Sequence, residues 1–203
     1  MNKKTLTLAA LPVAAIVSLT GCGSSDSGAA PPQAGHSNMK GMPGMSSDAS
    51  AHTKQDIAFA QGMIPHHQQA IAMAKLAAAH ARSAQVKQLA ARIEAAQGPE
   101  IKTMTRWLKS WGASTSMSGM DGMNMGHMPG MMSKTDMNKL AHASGADFDR
   151  MFLQGMTTHH QGALTMAHDE IANGKNSDAI ALAKRIKTSQ AKEITLMRRM
   201  LPS

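Results

Sequence analysis

The sequence predicts an all-α protein, a four-helix bundle made of two copies of one helical hairpin. Three observations predict it. Gly62-Met63-Ile64-Pro65-His66-His67-Gln68-Gln69-Ala70 returns as Gly155-Met156-Thr157-Thr158-His159-His160-Gln161-Gly162-Ala163, 93 positions later. That offset holds without a gap from Asp56/Asp149 and Phe59/Phe152, through Met73/Met166 and Gln97/Gln190, to Leu108/Leu201. Within each copy, apolar residues recur at three- and four-residue steps, and no segment sustains strand-like alternation. Each hairpin has one apolar seam that it cannot bury alone, so the halves must pack on each other.

The first 21 residues stand outside this bundle. Met1-Asn2-Lys3-Lys4 followed by the apolar run Leu6 to Leu19 reads as an export signal, too short to span a membrane and stay. Leu19-Thr20-Gly21-Cys22 looks like a bacterial lipobox, in which Cys22 is acylated and becomes the new N-terminus. The expected location is therefore the cell envelope, lipid-anchored, on a periplasmic or extracellular face. Residues 22–53 are rich in Gly, Ser, Ala and Pro and read as a disordered tether, within which His36, Met39, Met42 and Met45 stand out.

Residues 54–201 then carry the bundle, with repeats at 54–111 and 147–201. The first helix is expected over about 54–81. A second, over about 84–111, is expected to kink or break at Gly98-Pro99, where proline removes a backbone donor and clashes one turn back. Residues 112–132 are a Met-rich linker, and Ser133 to Ala143 could form a short helix. The third long helix is expected over about 146–172, stopping at Asn173-Gly174, and the fourth over about 177–200. With only three Phe and two Trp in the chain, the core must be Ala, Leu, Ile and Met.

The formal charge is +8, and loss of Lys3 and Lys4 with the signal lowers it by two, to about +6. A basic balance raises the question of nucleic acid. The cations are scattered at helical spacing, aromatics are nearly absent and the address is outside the cytoplasm, so nucleic acid is not an expected partner. Cys22 is the only cysteine. Soft-metal chemistry therefore falls to thioether and imidazole.

The paired histidines are the main candidates for that chemistry. Projected at 100° per residue, Met63, His66, His67 and Met73 share roughly one side of the first helix. Met156, His159, His160 and Met166 repeat the arrangement. On the partner helices Gln97 and Glu100, and their mates Gln190 and Glu193, interrupt otherwise apolar stripes. Buried Gln and Glu need partners, and a metal-bound histidine commonly donates its other N–H to such a group. Glu100 and Glu193 are thus candidate orienting partners of the histidines, or direct ligands. Met104 and Met197 read as core, and His80, His142 and His168, which lack repeat mates, as surface.

The linker is a second candidate. Met117, Met120, Met123, Met125, His127, Met128, Met131 and Met132 crowd a Gly/Ser background that has no core to fill. Thioether sulfur suits Cu(I), needs no deprotonation and forms no disulfide. Ag(I) would bind similarly, and Cu(II) fits the imidazoles. Zinc, calcium and magnesium fit this donor set badly.

The pattern Asp-x-x-Phe-x-x-x-Met-x-x-His-His-x-x-Ala-x-x-Met, followed by Gln-x-x-Glu-Ile-x-x-Met, resembles a bacterial family catalogued as domain of unknown function 305. That family includes CopM-type periplasmic copper-binding proteins. The resemblance covers about residues 54–201 and implies a ferritin-like four-helix bundle that binds copper outside the cytoplasm in copper tolerance. It also implies metal-binding roles for Met63, His66, His67 and Met73, and for Met156, His159, His160 and Met166. Two departures are Gly98-Pro99 between Gln97 and Glu100, and Thr157-Thr158 in place of Ile64-Pro65.

The expected function is capture of Cu(I) with buffering or delivery to a copper-transfer protein, without enzymatic turnover. Two alternatives stand beside it. One is a ferritin-like metallo-oxidase acting on Cu(I) or Fe(II), against which stands the absence of any Glu-x-x-His. The other is a structural envelope protein. The sequence leaves open whether the bundle motif or the linker is the main copper site.

Overall fold

The computed structural model describes residues 51–115 and 128–201. The signal segment, Cys22, the tether, and the linker residues Met117, Met120, Met123, Met125 and His127 lie outside the described residues. Five helices follow in order: α1 (Lys54–His80), α2 (Ala84–Ser110), α3 (Lys134–His142), α4 (Gly145–Asn173) and α5 (Ser177–Met200). No strand occurs among the described residues, and no helix is long and apolar enough to cross a membrane. The four long helices make the bundle of two hairpins that the repeat predicts.

Local chemistry sets the helix starts. At α1, the Thr53 hydroxyl accepts from the Asp56 amide while the Asp56 carboxylate accepts from the Thr53 amide, a reciprocal box that satisfies two otherwise orphaned donors. Ser83, Ser133 and Asn176 cap α2, α3 and α5 in the simpler one-way manner.

Of the kink or break expected in α2, the break does not occur. Helix α2 runs unbroken through Gly98-Pro99. Pro99 withholds one hydrogen bond from the Ala95 carbonyl, but Ala95 is exposed and water can take that place. Gly174 does close α4, yet with φ −71° rather than in the left-handed conformation of a typical glycine stop. Its small size has a different cause: a Cβ there would collide with the Glu170 carboxyl group.

Helix α1 packs along α2, α4 along α5, and the hairpins join through α1 and α4, with α3 resting on both. The core falls into two clusters. The first joins Ala70, Met73, Leu89 and Ile93 of one hairpin to Phe152, Met156, Ile194 and Met197 of the other. The second joins Phe59, Met63, Met104 and Leu108 to Ala163, Ala167, Leu182 and Ile186. Under the offset of 93, six of the eight pair across the clusters (Ala70/Ala163, Leu89/Leu182, Ile93/Ile186, Phe59/Phe152, Met63/Met156 and Met104/Met197), exchanged between hairpins, so the bundle has an internal two-fold relation. Each such buried Leu, Ile, Phe or Met stabilises the fold by about 1.5–3 kcal/mol before entropy is counted. Met104 and Met197 are wholly buried, as a core role requires.

The hairpins are also stitched by crossed caps. Asp56 of α1 reaches the turn before α5 and accepts from the amides of Lys175 (3.1 Å) and Asn176 (2.8 Å). Its mate Asp149 of α4 reaches the turn before α2 and accepts from Arg82 (3.1 Å) and Ser83 (2.9 Å). Each half thus finishes the other half's helix start.

Candidate metal centre: a polar waist between two cores

Along every long helix the two apolar clusters are separated by polar residues. In α1 the second cluster ends at Ile64 and the first begins at Ala70, with His66 and His67 between. In α4, His159 and His160 occupy the same gap. In α2 it is Gln97 and Glu100, and in α5 Gln190 and Glu193. The result is a polar waist at mid-bundle, in which all four histidines are fully buried.

Adjacent positions on a helix point about 100° apart, and the waist uses that divergence. His67 turns towards its own hairpin, where its Nε2 lies 2.7 Å from Glu100 Oε2; His160 meets Glu193 Oε2 at the same 2.7 Å. His66 and His159 turn across the two-fold relation and meet each other, ring centroids 3.7 Å apart and planes tilted by 38°. The expected single face of each motif is therefore two faces with different partners.

A carboxylate oxygen and a carbonyl oxygen can only accept, so His67, His160 and His66 each donate from Nε2, the last to the Pro129 carbonyl at 3.2 Å. The Nδ1 atoms of all three are buried without a hydrogen-bond partner among the described residues. Both ring nitrogens of His159 are likewise unpartnered, as are Gln97 Oε1 and Gln190 Oε1. Leaving buried polar atoms unmatched costs about 1–3 kcal/mol each, so a waist with this many is poised for a ligand. Burial holds the His66 imidazole down at about 3, with the neighbouring His67 pushing the same way. Burial, then His66, sets His159 well below its ordinary value too. These rings stay neutral near pH 7, with lone pairs free for a metal.

Thioethers lie on the same helices as the imidazoles. Met63, Met73 and Met156 are wholly buried in the cores at either side, and Met166 is half-buried. Among the described residues no three His, Cys, Asp or Glu side chains are grouped so as to hold a metal ion.

The end of the Met-rich linker lies directly over this centre. Gln69 clamps the Met132 backbone, its Oε1 accepting from Met132 N at 2.7 Å and its Nε2 donating to Met132 O at 2.9 Å. Gly130, at φ +77°, packs on the backbone of Thr158 and His159. Met128, Met131 and Met132 are half-buried in this segment. His80, expected at the surface, is half-buried, donating from Nδ1 to the Ala143 carbonyl (3.0 Å) and stacked on Phe148; His142 and His168 are exposed.

Sequence reasoning missed Gln69, Pro129, Gly162 and Glu170. Glu170 is wholly buried beside Asp56. Burial, then the Asp56 carboxylate, pushes Glu170 up to about 8, so it is protonated at neutral pH. Burial also pushes Asp56 up, but hydrogen bonds from Thr53 and the Asn176 amide override it and hold Asp56 at about 2. A signal for these residues did exist: the repeat breaks at Gln69/Gly162 and at Ala77/Glu170.

Several solved structures resemble this one. A putative secreted protein with a DUF305 domain from Streptomyces coelicolor is 33% identical, with TM-score 0.66 over 76% of this chain and 93% of that one. CopM in its Cu(II)-bound form is 36% identical, with TM-score 0.62 over 71% of this chain and 94% of that one. CopM in its Cu(I)-bound form is 32% identical, with TM-score 0.58 over 71% and 94%. No curated protein matches the chain. A family model described as "Domain of unknown function (DUF305)" matches residues 56–201, both hairpins and the waist between them, and the chain belongs to that family.

Proposed function

We propose that this protein is a copper-binding lipoprotein of the cell envelope, which captures Cu(I) and buffers it or delivers it to a protein partner. The observation that carries the reading is the waist: four buried imidazoles with unpartnered Nδ1 atoms, two of them (His66 and His159) held neutral by burial, on helices that also carry buried methionines. The related CopM has been captured with Cu(I), Cu(II) and Ag bound, which supports the same ions here. His66, His67, His159 and His160 would supply nitrogen, and Met63, Met73, Met156 and Met166 sulfur. Glu100 and Glu193 would orient His67 and His160 from behind. The thioethers of Met117, Met120, Met123, Met125, Met128, Met131 and Met132, with His127, would gather the ion at the linker. Cys22 would carry the lipid.

Binding without turnover fits this donor set. An oxidase that cycles a metal pair needs carboxylates converging on it, and Glu100 and Glu193 are each spent on a histidine of their own hairpin.

The test is competitive Cu(I) titration of the mature protein against a colorimetric chelator. Two variants are compared with the parent: the four waist histidines replaced by Ala, and the linker methionines by Leu. Each variant is expected to lose sites. Retention of every site by both would overturn the reading, and repeated oxygen consumption by the Cu(I)-loaded protein would replace it with an oxidase.

A further inference from the structure

The two copies of the motif differ at one position facing the linker, where Gln69 has Gly162 as its mate. The structure accounts for both residues at once. Gln69 grips both backbone groups of Met132, at 2.7 and 2.9 Å. Across the two-fold relation, Gly162 leaves the room that the Pro129–Gly130 backbone fills: a Cβ on Gly162 would run into the Pro129 carbonyl and lie 2.8 Å from Gly130 N. Between them, His66 donates to the Pro129 carbonyl. Residues 128–132 are thus a strap pinned to α1 at two points and seated on α4 at a third.

The strap carries one methionine to each side. On one side, the sulfurs of Met128 and Met166 both lie within 4.0 Å of the point where a side chain on Gly62 would begin. These residues border an open groove with Gln61, Thr165 and Asp169. On the other side, Met132 and Met73 flank Gly155, the mate of Gly62, but there the methyl groups rather than the sulfurs face the notch. A linker methionine therefore meets a motif methionine at each of two related glycine notches, and at Gly62 it is the sulfurs that face the notch. Any side chain in place of Gly62 would come into contact with both of them.

We propose that the strap fuses linker and bundle into a composite thioether site, Met128 with Met166 over Gly62, for a soft monovalent cation such as Cu(I) or Ag(I). Gln69 and Gly162 are its positioning residues and touch no metal. This rests on the copper-binding reading and answers what that reading leaves open, the division of labour between linker and bundle. An ion taken up by the linker passes to the waist through a site that belongs to both. Pro129, next to Met128 in the strap, is the residue whose carbonyl His66 holds, which links the two-sulfur site to the imidazole centre.

The test uses the mature full-length protein labelled with carbon-13 at the methionine methyls and titrated with Ag(I), which needs no reductant. In the parent, the Met128 and Met166 methyl signals should shift together within the first equivalents. Gly162→Ala removes the seat of the strap while placing a better helix former in α4. Gln69→Leu removes both hydrogen bonds to Met132. In each variant the joint shift should disappear and Ag(I) affinity at that site should fall at least tenfold. The Gly162→Ala melting temperature should not drop below the parent's, which separates loss of the strap from loss of the fold. Parent-like joint shifts and affinity in both variants would overturn the composite site while leaving copper binding at the waist intact. Failure of the parent to bind Ag(I) or Cu(I) at all would overturn both.

Discussion

The two hairpins are copies in sequence but divide labour in structure. Where they match, they build: the cores exchange Met63 for Met156 and Met73 for Met166, the waist pairs His67 with Glu100 as it pairs His160 with Glu193, and Asp56 and Asp149 cap across. Where they differ, each acquires something the other lacks. Gln69 against Gly162 seats the strap, and Glu170 against Ala77 places a second acid beside Asp56 but none beside Asp149. Matching positions thus report what the bundle needs, and mismatched ones report what was added to it.

The largest effects should test the symmetric part. Met63→Ala and Met156→Ala each open a cavity in a core of the same composition. Each should cost about 2–5 kcal/mol, and the two costs should agree within about 1 kcal/mol by urea denaturation. A large inequality would break the two-fold description.

The caps come next, and here the halves should part. Asp56→Ala strands the amides of Lys175 and Asn176 and also dismantles the Thr53 box, at an expected cost of about 2–3 kcal/mol. Asp149→Ala strands only the Arg82 and Ser83 amides, nearer to solvent, at about 1 kcal/mol. Equal costs would show that the box and the burial of Asp56 contribute nothing.

Acid–base behaviour should sharpen the contrast further. Glu170 is held up to about 8 from its ordinary 4.5, so between those values the folded state keeps a proton that the unfolded state has lost. Stability should therefore fall as pH rises across that window, by at most about 1.4 kcal/mol per pH unit. Glu170→Gln should flatten the decline, seen as a smaller drop in melting temperature between pH 5 and pH 8. His66 acts in the opposite sense, since its value of about 3 lies below the ordinary 6.5 and stability is lost as pH falls through that range. A parent protein equally stable at pH 5 and pH 8 with an unchanged Glu170→Gln profile would refute the assignment.

The smallest effect should come from the surface. Lys75 and Glu94 pair at 4.0 Å, both well exposed, and their mates His168 and Lys187 do not repeat the pair. Lys75→Ala should change stability by less than about 0.5 kcal/mol.

Much of this was legible in the chain. Helix spacing and cap residues set the helices to within a residue or two, and the offset of 93 set the two-fold relation. That Glu100 and Glu193 would orient histidines, or ligate directly, was legible from acids interrupting an apolar stripe; which histidine each meets was not. Treating His66 and His67 as one face was the main error, because adjacent residues diverge by about 100° and the sequence does not say which neighbour each meets. The strap was only half legible. The break of the repeat at Gln69/Gly162 marked two of its positions, but its contacts join residues 63 positions apart through backbone groups, which carry no residue-type signature of their partner.

The crossed caps have a consequence for how the molecule comes apart. A hairpin separated from its twin leaves two amides of its own turn bare, and also withdraws the carboxylate that its twin depends on. Neither half can loosen alone, so the chain should melt in one transition despite its repeat. An ion held at the proposed waist would then have to leave without the parting of the hairpins.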